Sequence, residues 1–159
     1  MRSLRAGLAG CVFVVGVASG CATTHGSAPG QVSGLEPYRV NGRTYVPLGD
    51  WRGYSEEGLA SWYGAEHDGS RTASGDVFDA KHARTAAHKV LPFNVCAEVK
   101  NLRNGKTVLV RVNDRGPFTP GRVIDLSRAA ASKIGLVDQG VAKVRVSAVG
   151  IADANGQCS

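Results

Sequence analysis

Residues 95–119 read VCAEVKNLRNGKTVLVRVNDRGPFT, and much of the fold and its chemistry can be argued outward from them. Val95, Ala97 and Val99 alternate with Cys96, Glu98 and Lys100. Val108, Val110 and Val112 repeat the alternation beyond an Asn104-Gly105 turn. Period-two patterning on both sides of an Asn-Gly pair predicts an antiparallel hairpin with one apolar face. The second strand, from Lys106 to Val112, delivers Asp114 to a point where Gly116 and Pro117 force the backbone out of the sheet. An acid held at a strand end is a candidate catalyst. Arg115 beside it and Arg122 further on suit a polar, sugar-like or anionic ligand. From this run alone, an equally simple reading makes Asp114 and Arg115 turn residues in a local ion pair.

The same logic extends toward the C-terminus. Ala142, Val144, Val146 and Ala148 face one way and Lys143, Arg145 and Ser147 the other, which predicts a last strand. Between the strands, Ser127 caps RAAASKI and Gly135 ends it, a helix of two turns. Many short strands, one short helix and 21 glycines point to a mainly β protein built as a small barrel. Composition does not say which barrel.

Upstream, Met1 to Arg5 carries two arginines and no acid, Ala6 to Val17 is apolar or glycine, and Ala18, Ser19, Gly20 and Cys21 follow. This is a secretory signal over 1–20, too short to span a bilayer. Its ending on cysteine is similar to a bacterial lipoprotein signal, with Cys21 as the lipidated residue. Cys11 has a suitable local pattern, but five residues after Arg5 leave it almost no apolar core. A plain secreted protein cleaved near Ser19 is the simpler alternative. Loss of 1–20 removes Arg2 and Arg5 and lowers the net charge from +6 to about +4. The basic residues are scattered and no RNA- or DNA-binding module is present, so a nucleic-acid partner is not expected. Residues 21–36 comprise that cysteine and a small, polar, glycine-rich flexible tether. Two cysteines remain, Cys96 and Cys158, and in an oxidising compartment an isolated pair is most simply a disulfide. A catalytic Cys with His88 is the weaker reading, because Cys96 sits in an alternating strand without a nucleophile motif.

Five segments in order, GLASWYG (58–64), TAAHKVLP (85–92), VKNLRNG (99–105), RVNDRGPF (111–118) and GRVIDLS (121–127), resemble the rare lipoprotein A family. PYRVNGRTYVPL (37–48) and GYSEEG (53–58) are similar to its lead-in, so the resemblance covers roughly 37–150. It implies a six-stranded double-psi β-barrel, related to expansins, with one or two short helices. The implied organisation is a lead-in at 37–57, a catalytic barrel at 58–150 and a tail at 151–159, without the C-terminal glycan-binding repeat domain of many members.

The implied activity is endolytic lytic transglycosylation of peptidoglycan, favouring strands stripped of stem peptides. Such an enzyme needs no water: the sugar's 6-hydroxyl closes on the anomeric carbon, so one carboxyl group can give a proton and later take one. Asp114 matches the family's aspartate, and Phe118 is its expected apolar cover. His88 matches the active-site histidine and is expected to hydrogen-bond substrate or the carboxylate. Asp76 stands where the family commonly has glutamate, one methylene shorter. Trp62 and Tyr63 offer flat surfaces for sugar rings, although alternation turns one of the two inward. Asp125 is expected to steady the strand-to-helix corner beside Ser127. His67, His82, Asp68 and Asp76 show no zinc or calcium spacing, so neither metal nor cofactor is expected. The expected setting is a monomer in the periplasm, lipid-anchored to a bacterial membrane, the outer one where the host has one. The rival reading is a non-catalytic, expansin-like wall-glycan binder.

Overall fold

The computed structural model describes residues 30–159. The signal segment and Cys21 lie outside the described residues. The first strands among the described residues form a small antiparallel pair, β1 (Tyr38–Val40) and β2 (Arg43–Tyr45), reversing through Asn41 and Gly42, both at positive φ. Six strands then close into a barrel: β3 (Ser55–Trp62), β4 (Thr85–His88), β5 (Val95–Asn101), β6 (Thr107–Asp114), β7 (Arg122–Leu126) and β8 (Ala142–Ile151). Their order around the barrel is β3-β7-β4-β6-β5-β8. The pairs β3–β7 and β4–β6 are parallel and the other four antiparallel. The barrel runs from Ser55 to Ile151, three residues earlier at its start than the motifs alone suggested.

The hairpin quoted from the sequence is β5 and β6, with Val99 opposite Val108 and Gly105 at φ +72 in the turn. Its valines join Ile124, Leu126, Val144 and Val146 in one core. One α-helix, α1 (Arg128–Lys133), follows β7, and Ser127 caps it by accepting from the Ala130 N–H at 3.3 Å. A 3-10 turn, Ala65–His67, is the other helical piece among the described residues. Cys96 and Cys158 form a disulfide that ties the tail to β5. Closing a loop of 62 residues is worth about 4 kcal/mol in the chain-entropy picture.

The end of the expected tether is docked rather than free. Ser33 bridges Phe93 through backbone hydrogen bonds, the Asn94 amide donates to the Gln31 carbonyl at 2.8 Å, and Val32 packs on the core. One apolar residue with two backbone bonds is enough to hold a short polar segment against the barrel, a contact that composition does not report.

Candidate active site

β4 lies between β6 and β7, and this adjacency builds the site. Ala87 is opposite Asp114 on one side and Asp125 on the other, and Asp125 is in turn opposite Ser61 of β3. Asp114, Ala87, Asp125 and Ser61 therefore form a row across four strands. The two aspartates stand two strand spacings apart, roughly 10 Å between Cα atoms. A bulge sets the direction of Asp114. Ala86 pairs with Val112 but Ala87 pairs with Asp114, so Asn113 is skipped. In an unbroken strand Asp114 would share the inward face of Val112; the extra residue turns it to the opposite face. Beyond it, Gly116 at φ +130 takes a backbone that favours glycine, and β6 ends.

Asp114 is aimed by backbone amides. Its Oδ1 accepts from the Ala73 N–H at 2.9 Å and from the Arg115 N–H at 2.8 Å. The loop supplying Ala73 is clasped to the same bulge, since the Ser74 N–H donates to the Asn113 carbonyl at 3.1 Å. Asp114 lines a narrow pocket of about 40 Å³ with Tyr63, Phe78, Thr72, Ser70 and His67. Its apolar cover is thus Tyr63 and Phe78, whose rings meet edge to face at 5.5 Å. Phe118 is engaged elsewhere, packed on Tyr38 and Tyr45 of the β1–β2 pair. That corrects the cover expected from the sequence, where Phe118 was simply the nearest aromatic along the chain.

Asp125 is the functional candidate that sequence reasoning assigned to a corner. It is buried, its Oδ2 accepts from Arg122 Nη2 at 3.0 Å, and burial pushes its carboxyl up against the opposing pull of Arg122 and Lys89. The nearby Ser61 N–H lowers it slightly without a hydrogen bond of normal geometry, and Oδ1 accepts no hydrogen bond from the described residues. Arg122 Nε is likewise buried without a partner. Both residues line a cleft of about 440 Å³ that also holds Tyr63, Phe118 and Pro117. Tyr63 walls both spaces. Burial pushes its hydroxyl pKa up, and the Asp114 and Asp125 carboxylates push it further. The signal that could have found Asp125 was the alternation of RVIDLS: an acid flanked by Ile124 and Leu126 must face away from the core.

The other expected site residues are placed differently. Trp62 packs against the core, while Tyr63 takes the site-facing side. His88 leaves β4 from the face opposite Ala87 and is 1 % exposed. Its Nδ1 accepts from the Leu91 N–H at 3.0 Å and the Val90 N–H at 3.2 Å, so the proton sits on Nε2, 3.2 Å from the Tyr54 hydroxyl. That hydroxyl in turn donates to Glu56. Burial, helped by Lys89 and Arg115, lowers the His88 pKa to about 3. Arg115 points inward: it donates to the carbonyls of His88, Leu91 and Gly34 and lies 4.0 Å over the Phe93 ring. Its guanidinium braces the 88–91 turn, and the residue also lines the cleft that holds Tyr63 and Asp125. Asp76 accepts from Asn113 Nδ2 at 3.2 Å and pairs with Arg111 at 2.7 Å. Burial tends to raise its pKa, but Asn113 and Arg111 outweigh burial and hold the carboxyl below the usual range. Asp76 therefore grips the bulge residue that turns Asp114.

Among the described residues no group of three or more His, Cys, Asp or Glu side chains gathers in a metal-binding arrangement. Asp68 caps the Ala80 N–H at 2.9 Å, and Asp79 accepts from the N–H groups of Lys81 and His82.

Residues 55–146 match the model of the family described as lytic transglycolase, a stretch that contains the whole row and nearly all of the barrel. The chain belongs to this family. Within it, the chain is 44 % identical over 129 residues to the endolytic peptidoglycan transglycosylase RlpA of Campylobacter jejuni, covering 81 % of this chain and 46 % of that protein. To the protein of the same name from Pseudomonas aeruginosa it is 52 % identical over 113 residues, covering 71 % and 33 %. The Haemophilus influenzae relative is 48 % identical over 131 residues, covering 81 % and 45 %. The chain thus spans about half, or less, of the length of these rare lipoprotein A relatives. The barrel also superimposes on the Streptomyces papain inhibitor, at 27 % identity and a TM-score of 0.51, over 60 % of this chain and 94 % of that one. With the mixed closed sheet, this identifies a six-stranded double-psi barrel.

Proposed function

We propose that this protein is a lytic transglycosylase that cuts β-1,4 bonds between N-acetylmuramic acid and N-acetylglucosamine inside peptidoglycan strands, preferring strands without stem peptides. The observation that carries the reading is the row across β4: two carboxyl groups on one face, flanking the small Ala87, each opening on its own side of Tyr63. Asp114 is the proton-transfer group. Two backbone N–H groups fix its Oδ1 and so aim Oδ2, the atom that gives a proton to the leaving oxygen and then takes one from the 6-hydroxyl. Asp125 is the second carboxyl. With Arg122, its partner at 3.0 Å, it lines the wider cleft and offers a sugar hydroxyl an acceptor beside a donor. Tyr63 supplies a flat wall for a sugar ring between them. His88, Arg115 and Asp76 act as positioning residues, holding the turn after β4 and the bulge before Asp114.

Lipidation of Cys21 and a monomeric, periplasmic, membrane-anchored protein complete the proposal, supported by the signal segment and by a substrate that lies in the cell wall. Product chemistry tests it. Peptide-free strands incubated with the protein should yield fragments ending in 1,6-anhydro-N-acetylmuramic acid, because the 6-hydroxyl replaces water. Reducing ends would make it a hydrolase using both carboxyl groups. Strands bound but never cut would leave the expansin-like role.

A further inference from the structure

A second charged surface lies along the same two strands, away from the carboxyl row. Three residues before Ala87 is Arg84, and three residues after Asp125 is Arg128. β4 and β7 are antiparallel, and their contact continues past the strand ends, where the Ser127 N–H donates to the Thr85 carbonyl at 2.9 Å. Three residues of strand span roughly 10 Å, so the two arginines mark a position about that far from the row. The Ala129 N–H holds α1 to the Ala80 carbonyl at 2.9 Å, and the space between α1 and residues 81–84 is an open cleft of about 830 Å³.

Lys81, Arg84, Arg128 and Lys133 line this cleft with His82, Ala129 and Ser132, and no acidic side chain lines it. His82 is engaged with Asp79 at 3.2 Å, but the four cations form no ion pair with any described residue. Arg111, Arg122, Lys143 and Arg145 have carboxylate partners, whereas Arg39, Arg43, Lys100, Arg103 and Lys106 have none among the described residues, so the gathering of four in one concavity is what distinguishes the cleft. Four unpaired cations around a concavity focus a positive field, which attracts a polyanion more than a neutral chain.

We propose that this cleft is an extended subsite that takes the lactyl carboxylates of a peptide-free glycan strand. The inference rests on the proposed wall-glycan function and adds the charge that the site reads. Removal of a stem peptide frees one lactyl carboxylate on each muramic acid, directly on the sugar backbone and at a regular repeat. Thr85 and Ser127, between the row and the cleft, are buried, so a strand held at the row passes around this covered stretch and brings a later carboxylate to Arg84 and Arg128. An amide at that position, as in a peptide-bearing strand, carries no charge for the cleft to hold.

Binding is measured on the Asp114→Asn protein, so that cleavage does not interfere, with Lys81→Gln, Arg84→Gln, Arg128→Gln and Lys133→Gln combined. The probes are peptide-free strands, the same strands with their carboxylates converted to amides, and vesicles of anionic phospholipid. The neutralised cleft should bind peptide-free strands about tenfold more weakly at low salt, with a shallower dependence on salt. Both cleft forms should bind amidated strands equally. Unchanged binding of peptide-free strands, or an equal loss for amidated strands, overturns the inference. Loss of vesicle binding with strand binding intact overturns it too, and makes the cleft a headgroup site. The enzyme reading fails separately, if wild-type protein releases no anhydro products.

Discussion

The two faces of β4 divide the labour between neighbouring residues of one short segment, TAAH. Ala87 looks onto the side of Asp114 and Asp125, which line the two spaces that Tyr63 divides. His88, one residue on, looks the other way, and both of its ring nitrogens are engaged, with Val90, Leu91 and Tyr54. Side chains that line a cleft are what a ligand can reach, whereas satisfied valences in a buried site hold a backbone in place. His88 thus holds the turn that Arg115 also braces.

The sharpest way to break this contrast is to remove chemistry from one face alone. Asp114→Asn keeps the shape and the two amide contacts but cannot carry a proton, so cleavage of peptide-free strands should fall by roughly 10²- to 10⁴-fold. Thermal unfolding should be nearly unchanged. A variant that cuts normally would remove Asp114 from the proton path.

On the other face the expected effect is on stability and depends on pH. The folded protein holds His88 neutral down to about pH 3, whereas an unfolded histidine takes a proton near pH 6.5. Its contribution is therefore complete above pH 6.5 and is lost as pH falls, by about 1.4 kcal/mol per pH unit, until pH approaches 3. His88→Gln should be less stable at neutral pH and should lack this part of the acid slope. Denaturant titrations of both proteins between pH 7 and 4 check it, and identical slopes would contradict the assignment.

A smaller loss is expected at the second carboxyl. Asp125→Asn removes a charged acceptor for a sugar hydroxyl and should reduce turnover by roughly 10- to 100-fold. Because burial raises the Asp125 pKa, its protonated form persists to higher pH than an ordinary aspartate's. If that proton is used, wild-type activity declines as pH rises through this pKa and the permanently neutral asparagine lacks the decline. Equal pH–rate profiles would confine Asp125 to binding.

The smallest effect should come from the support behind the bulge. Asp76→Asn breaks the pair with Arg111, and since the Asp76 side chain is 38 % exposed the cost should be about 1 kcal/mol. Turnover should fall less than in Asp114→Asn, because the bulge is also clasped by the Ser74 N–H. A loss as large as that of Asp114→Asn would place Asp76 in the chemistry itself.

By itself the sequence determined whatever depends on near neighbours. The alternation of Val108, Val110 and Val112 and the Asn104-Gly105 turn specify β5 and β6, Ser127 and Gly135 bound α1, and the apolar period of β8 names its inward face. These are legible because a pleat, a cap and a tight turn are each decided within a few residues. The ordered motifs added the barrel and singled out Asp114 as the proposed proton-transfer group. Tertiary structure decided the directions. The bulge at Asn113 exists because β6 and β4 must pair in register on both sides of it, and that pairing turns Asp114 outward. Asp125 becomes a partner of Asp114 because β4, remote from both in sequence, lies between their strands. Arg115 folds inward because the carbonyl of Gly34 and those of the 88–91 turn, far from it along the chain, converge where its guanidinium can reach all three. No local pattern encodes such meetings, since strand adjacency in a closed barrel is set by the packing of the whole core.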